Sequence, residues 1–282
     1  MQILSDIRYA DNHTMDAYIP AQEPAGAVIV LHSGWFGGDK ADIAPLAKRL
    51  ADAGLAVFAP SFRLPPHALF SVSRSDVLAA VNWVLASDFS IQKESLAIWG
   101  FSVGGTLAIE AALSTSLPAV AWSAMIDLKG FMHETTVLAD RDYDHDFSRL
   151  SRASIEVDGR NDPLLRTLIL EFVSNNASWL PTATPICRVT DEAGAILMFN
   201  AVAELVPSEG AMVLQRALSD VGVPSTVSIL AGSTHGHGNL DAGFNQAVRF
   251  TKESFRIGVD GQLRASVGSQ LENDRVQIGT VH

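Results

Sequence analysis

The stretch Gly100-Phe101-Ser102-Val103-Gly104, with Gly105 behind it, constrains this chain more than any other segment. The strand-like apolar run 95–99 (SLAIW) leads into it, and the helix-like run 104–113 leads out. A serine on so sharp a strand-to-helix turn is held in a strained backbone conformation. Small residues two before and two after it let neighbouring chain pass close. The turn exposes the hydroxyl and leaves N–H groups at a helix N-terminus, where they stabilise developing negative charge. Ser102 is therefore the candidate nucleophile, against the bland alternative of a glycine-rich turn with an inert serine.

Such a turn needs buried parallel strands around it, and the sequence supplies them. Residues 27–31 (AVIVL) form a short continuous apolar run, as expected of a strand covered on both faces. Residues 43–53 have helical spacing and stop at Gly54. Strand-like runs at 55–59, 119–126, 196–199 and 225–230 alternate with helix-like runs at 73–85, 209–221 and 240–255. Residues 3–9 and 14–19, around Asp11-Asn12, read as an N-terminal hairpin. The expected fold class is α/β, with a mostly parallel central sheet of about eight strands and helices on both faces. Residues 1–128 and 186–256 form the core. The polar segment 129–185, with an apolar helix at 163–173, interrupts the rhythm and reads as an inserted cap or lid. Residues 257–282 read either as a disordered tail or as an arm for homo-oligomerisation.

Composition narrows the function classes. With 282 residues, 48% of them hydrophobic, the chain buries a sizeable core. Its formal net charge of -11 and lack of a Lys/Arg cluster argue against a nucleic-acid partner. No run approaches the ~20 apolar residues of a membrane span, and the N-terminus has no basic region followed by an apolar one. A soluble, cytoplasmic protein is expected. The single cysteine, Cys187, excludes an intrachain disulfide and is expected to be buried and structural.

A serine hydroxyl needs a base. After strand 225–230 comes Ala231-Gly232-Ser233-Thr234-His235-Gly236-His237-Gly238, and His235, set among small residues, is the candidate. His237 is its competitor. The nearby Asp241 completes no standard metal-ligand spacing, so no metal is expected. After strand 27–31, His32-Ser33-Gly34-Trp35-Phe36-Gly37-Gly38-Asp39-Lys40 forms a glycine-rich loop. The N–H groups of Gly34 and Trp35, with that of Val103, are the candidate oxyanion donors. His32 reads as a structural loop histidine. Trp35, Phe36 and Phe101 suit either an acyl or aryl pocket or the core.

On these three segments, HSGWFGGDK, GFSVGG and LAGSTHGHG, the chain resembles the α/β-hydrolase superfamily. Within it the resemblance is to the hormone-sensitive-lipase-like and feruloyl-esterase-like carboxylesterases. Weaker likeness comes from AELVP at 203–207 and SAMIDL at 123–128. The resemblance spans about residues 25 to 255, apart from much of the insertion. It implies a serine esterase that forms an acyl-enzyme from a small-molecule ester and needs no cofactor. An amide, formamide or lactone hydrolase would use the same machinery, and a non-catalytic ligand-binding protein would share the fold.

Two departures matter. The oxyanion loop is one residue shorter than usual, with Ser33 for a glycine. The position that usually holds the triad aspartate is Ala203. Glu204, one residue further, is the leading replacement; Asp127 and a dyad without an acid are the alternatives. Asp162 reads as the N-cap of a helix with Pro163 at N1. Asp191 and Glu192 lie at the wrong edge of the sheet.

Overall fold

The computed structural model describes residues 1–34, 38–64, 68–141, 155 and 159–256. Trp35 and Phe36, the tail 257–282 and much of the middle of the insertion lie outside these residues. Eight strands form one sheet: β1 (Gln2–Ala10), β2 (His13–Ile19), β3 (Ala27–Leu31), β4 (Ala56–Pro60), β5 (Leu96–Phe101), β6 (Ala119–Trp122), β7 (Ile196–Ala201) and β8 (Ser225–Leu230). Their order is β1-β2-β4-β3-β5-β6-β7-β8. β2 is antiparallel to both of its neighbours; all pairings from β4 through β8 are parallel.

The continuous apolar runs are buried throughout because helices cover both faces. Alternate residues of each strand point to opposite sides. Ile29, Leu31, Ile98 and Met198 meet helices α2 (Phe70–Ala86), α3 (Val103–Thr115) and one over Glu209–Asp220. Val28, Val30, Trp99 and Leu197 meet α1 (Ala44–Asp52) and a last helix over 240–256. No helix among the described residues is long and apolar enough to cross a membrane.

On the second face the register aligns three rings. Phe101 is the partner of Trp122, and Trp122 of Phe199. The rings stack with centroids 4.9 and 5.0 Å apart. Offset stacking of this kind adds to the apolar burial.

Between β6 and β7 lie α4 (Leu128–Glu134), a 3-10 segment Thr136–Arg141, α5 (Asp162–Phe172) and a single turn Leu180–Ala183. Their apolar side chains (Leu128, Met132, Leu164, Leu165, Ile169) pack on Val103, Met125, Leu205 and Val206, above the C-terminal ends of the strands. Buried Arg166 donates to Met132 O and Thr135 Oγ1 and so ties α5 to α4. Arg188 pairs with Glu110 of α3, and Arg74 reaches the same carboxylate at 3.3 Å. Burial pushes the Glu110 carboxyl up, and the two guanidinium groups offset that only in part.

Three expectations need correction. The strand expected over 119–126 ends at Trp122, because Ser123 takes a positive φ of 53° and turns the chain out of the sheet. The cap of α5 is Asn161, whose side chain accepts from Leu164 N–H; Asp162 lies inside the helix and pairs with Arg160 instead. Cys187 is exposed, on a 3-10 turn (Pro185–Arg188) where Ile186 rather than the thiol packs on the core.

Asp76, on α2, anchors the chain leaving β4. It accepts from the Arg63 backbone N–H at 3.1 Å and from the guanidinium at 2.8 and 2.6 Å, with His13 Nε2 3.3 Å away. Burial pushes this carboxyl up, but the Arg63 hydrogen bonds outweigh burial and hold it below its ordinary value of 3.8. A carboxyl with a depressed folded-state pKa stabilises the fold above its unfolded pKa and loses that contribution as pH falls. Urea denaturation across a pH series should therefore show wild type more stable than Asp76→Asn near neutrality. The gap should close as the pH drops below the ordinary carboxylate range.

Candidate active site

Ser102 joins β5 to α3 with φ 53° and ψ -121°, a region that a non-glycine residue enters only when its surroundings enforce it. The enforcement is steric. A Cβ on Gly104 would lie 2.3 Å from His32 O, and one on Gly100 would lie 2.1 Å from Gly104 O. The elbow thus packs backbone to backbone against the end of β3. Its outer side touches the loop that follows: a Cβ on Gly34 would meet Val103 Cγ1 at 2.2 Å. The His32 ring stacks on Phe62 at 4.2 Å, with Nδ1 2.8 Å from Ser33 O, which agrees with a structural role. Gly34 and Val103 are therefore brought together beside Ser102. Trp35, the third expected donor, lies outside the described residues.

His235 stands after β8, at the head of a 3-10 turn over Gly236–Asn239. Its Nε2 is 3.0 Å from Ser102 Oγ, and its Nδ1 is 2.7 Å from Glu204 Oε2. A carboxylate facing Nδ1 requires the ring proton there, which leaves Nε2 as an acceptor for the serine proton. The other carboxylate oxygen, Oε1, accepts the Ala201 N–H at 2.8 Å. Glu204 is 2% exposed, His235 3% and Ser102 8%, so the two buried members sit out of water while the hydroxyl lies at the edge. Electrostatic interactions are strengthened in such surroundings.

The approach of Glu204, rather than of position 203, to the ring has a local explanation. Val202 N–H donates to Leu230 O and Ala203 N–H to Gly232 O, so the chain after β7 stays docked on the loop that carries His235. Ala203 is left exposed there. The next residue turns inward, and the extra methylene of a glutamate lets it reach both Ala201 N–H and the imidazole.

The competing candidates are elsewhere. Asp127 caps α4, accepting from Gly130 N–H at 2.9 Å. The His237 ring lies 3.8 Å from the Phe101 ring and extends the aromatic row, which assigns Phe101 to the core as well. Asp241 pairs with Arg49, and Asp191 and Glu192 lie on an exposed turn before β7. One residue that the sequence did not single out is Ser123, whose Oγ accepts the Gly236 N–H at 2.8 Å, next to His235.

A solvent-open cleft is lined by Met125, Leu128, Phe131, Leu165, Ile169 and Val206, with Asp127, Glu134, Arg160 and Glu209 among its polar walls. None of Ser102, His235 and Glu204 lines it, but its floor belongs to the same apolar cluster as Val103.

Backbone strain at Ser102 makes a stability prediction. Ser102→Gly relieves the positive φ, whereas Ser102→Ala removes the hydroxyl and keeps the strain. Thermal or urea denaturation should find the glycine variant more stable than the alanine variant by about 1 kcal/mol.

Comparison with known proteins gives a consistent picture. A family model described as BD-FAE matches residues 15–218. An ethyl acetate hydrolase of Pseudomonas putida is 27% identical over 241 residues, covering 80% of this chain and 72% of that protein. Among solved structures, a truncated carbohydrate esterase from gut microbiota is similar with a TM-score of 0.71 at 21% identity, covering 91% of this chain and 97% of its own. A Pyrobaculum calidifontis esterase has a TM-score of 0.69 at 19% identity, covering 92% and 85%. The fold with its elbow and the family match together assign this chain to the BD-FAE family, an esterase-type branch of the α/β-hydrolases.

Proposed function

We propose that this protein hydrolyses small carboxylic esters through an acyl-enzyme formed on Ser102. The observation that carries the reading is the pair of hydrogen bonds running from Ser102 Oγ through His235 to Glu204. In this mechanism Ser102 Oγ attacks the acyl carbon as its proton passes to His235 Nε2. Glu204 holds the ring's tautomer and stabilises the imidazolium. The carbonyl oxygen, now negative, is held by the N–H groups of Val103 and Gly34, with Trp35 as the third donor. His235 then gives its proton to the departing alkoxide, and the alcohol leaves. A water, deprotonated by the same nitrogen, attacks the acyl-serine and releases the acid. No cofactor takes part.

The relative from Pseudomonas putida, named for ethyl acetate, supports a small substrate. The apolar floor of the cleft suits an alkyl or aryl part of the ester, and in this reading segment 129–185 is the cap that shapes it.

Incubation with a fluorophosphonate probe and with p-nitrophenyl acetate should give labelling and turnover that vanish in Ser102→Ala. No labelling of the folded wild-type protein would overturn the proposal. Glu204→Gln should lower kcat by roughly 10³- to 10⁴-fold, whereas Asp127→Asn should leave kcat near wild type and cost only about 1 kcal/mol of stability through its helix cap. If the cleft takes the acyl chain, Leu165→Trp should lower kcat/KM for p-nitrophenyl hexanoate roughly tenfold relative to the acetate. Equal effects on both esters would remove the cleft from the substrate path.

A further inference from the structure

We infer that Ser123 is a positioning residue that fixes His235 at its working distance from Ser102; this rests on the serine-esterase reading above. β5 and β6 run side by side with Phe101 opposite Trp122, so the next residue on each strand is Ser102 on one and Ser123 on the other. Both have φ 53°, and both leave the sheet at the same level. The Trp122–Ser123 peptide and the Ser123 hydroxyl together are bonded to all three segments that carry the site. Trp122 O accepts the Ser102 N–H at 2.8 Å. Ser123 N–H donates to Phe199 O, on the strand leading to Glu204, at 2.8 Å. Ser123 Oγ, wholly buried, accepts the Gly236 N–H at 2.8 Å.

The backbone at Ser123 points to the hydroxyl as the reason for the residue. A positive φ costs a non-glycine residue free energy that glycine would not lose. Glycine, however, brings no acceptor, and the buried Gly236 N–H needs one. Gly236 is shaped for the same contact. Its φ is 60°, yet a Cβ there would touch nothing within 4 Å, so its glycine serves the backbone conformation rather than space. That conformation turns the N–H following His235 down onto Ser123. On the other side of the turn, Gly238 N–H donates back to His235 O at 3.3 Å. The imidazole is thus held from its own main chain as well as by Glu204.

The test compares Ser123→Gly and Ser123→Ala with wild type, and repeats Ser123→Gly in a His235→Ala background. Ser123→Gly relieves the strained φ, so a melting temperature at or above that of Ser123→Ala certifies the fold. With p-nitrophenyl acetate, kcat should fall roughly ten- to hundredfold in both single variants, with KM within about twofold of wild type. In the His235→Ala background, Ser123→Gly should cost nothing further, because the group it positions is already gone. Full kcat in Ser123→Gly would overturn the inference. So would an equal fold-loss with and without His235, since that marks a role in the fold or on the nucleophile. Both results presuppose turnover that depends on Ser102; its absence in wild type would overturn the esterase reading and this inference together.

Discussion

The approach of α3 to the end of β3 is the constraint on which the rest depends. At Gly104 the helix backbone comes so near His32 O and Leu31 O that no side chain fits between them. That contact holds Ser102 in a conformation it would otherwise abandon, and it sets Gly34 against Val103. One steric fact thereby strains the backbone of Ser102, the candidate nucleophile, and assembles the candidate oxyanion donors. Strain of this kind persists only where packing over-determines it, and here the packing is backbone on backbone at the buried central strands β3 and β5.

The row of rings beneath the site plays the complementary part. Phe101, Trp122 and Phe199 come from three adjacent parallel strands in register, and His237 stacks on the Phe101 end of the row. His235 and His237 are two residues apart, yet one faces Ser102 and the other lies flat on Phe101. The loop is pinned by a stack on one side and by Ser123 on the other. Both contacts bear on the turn that sets His235 Nε2 3.0 Å from Ser102 Oγ.

Charge is used sparingly and inside. The net charge of -11 is spread over the chain, whereas buried or half-buried cations knit the interior: Arg166 of α5 holds Met132 O and Thr135 Oγ1, Arg74 of α2 reaches Glu110 of the elbow helix, and Arg188 joins Glu110 to Thr182 O of the insertion. Removing one partner of such a cluster leaves the other desolvated and alone. The segment above the sheet is thus tied to the same helix that carries the elbow at its N-terminus.

The order of strands and helices, the elbow and the histidine after the last strand were legible in the sequence. Each rests on a local rule: continuous apolar runs for strands covered on both sides, glycines flanking a strained serine, small residues around a mobile ring. What stayed open was the acid, because its usual position holds Ala203 and linear order does not say which neighbouring carboxylate turns inward. In the fold Glu204 is the buried carboxylate that faces His235 Nδ1, whereas Asp127 caps α4. The end of β6 at Trp122, the exposure of Cys187, the stacking of His237 and the contact of Ser123 with Gly236 were likewise set only by the fold. They depend on which atoms of distant segments meet, and periodicity along one chain carries no information about that. The sequence by itself determined the α/β architecture and which serine and histidine stand at the ends of its strands. The tertiary structure decided their partners, because hydrogen-bond geometry is fixed only once the strands are in register.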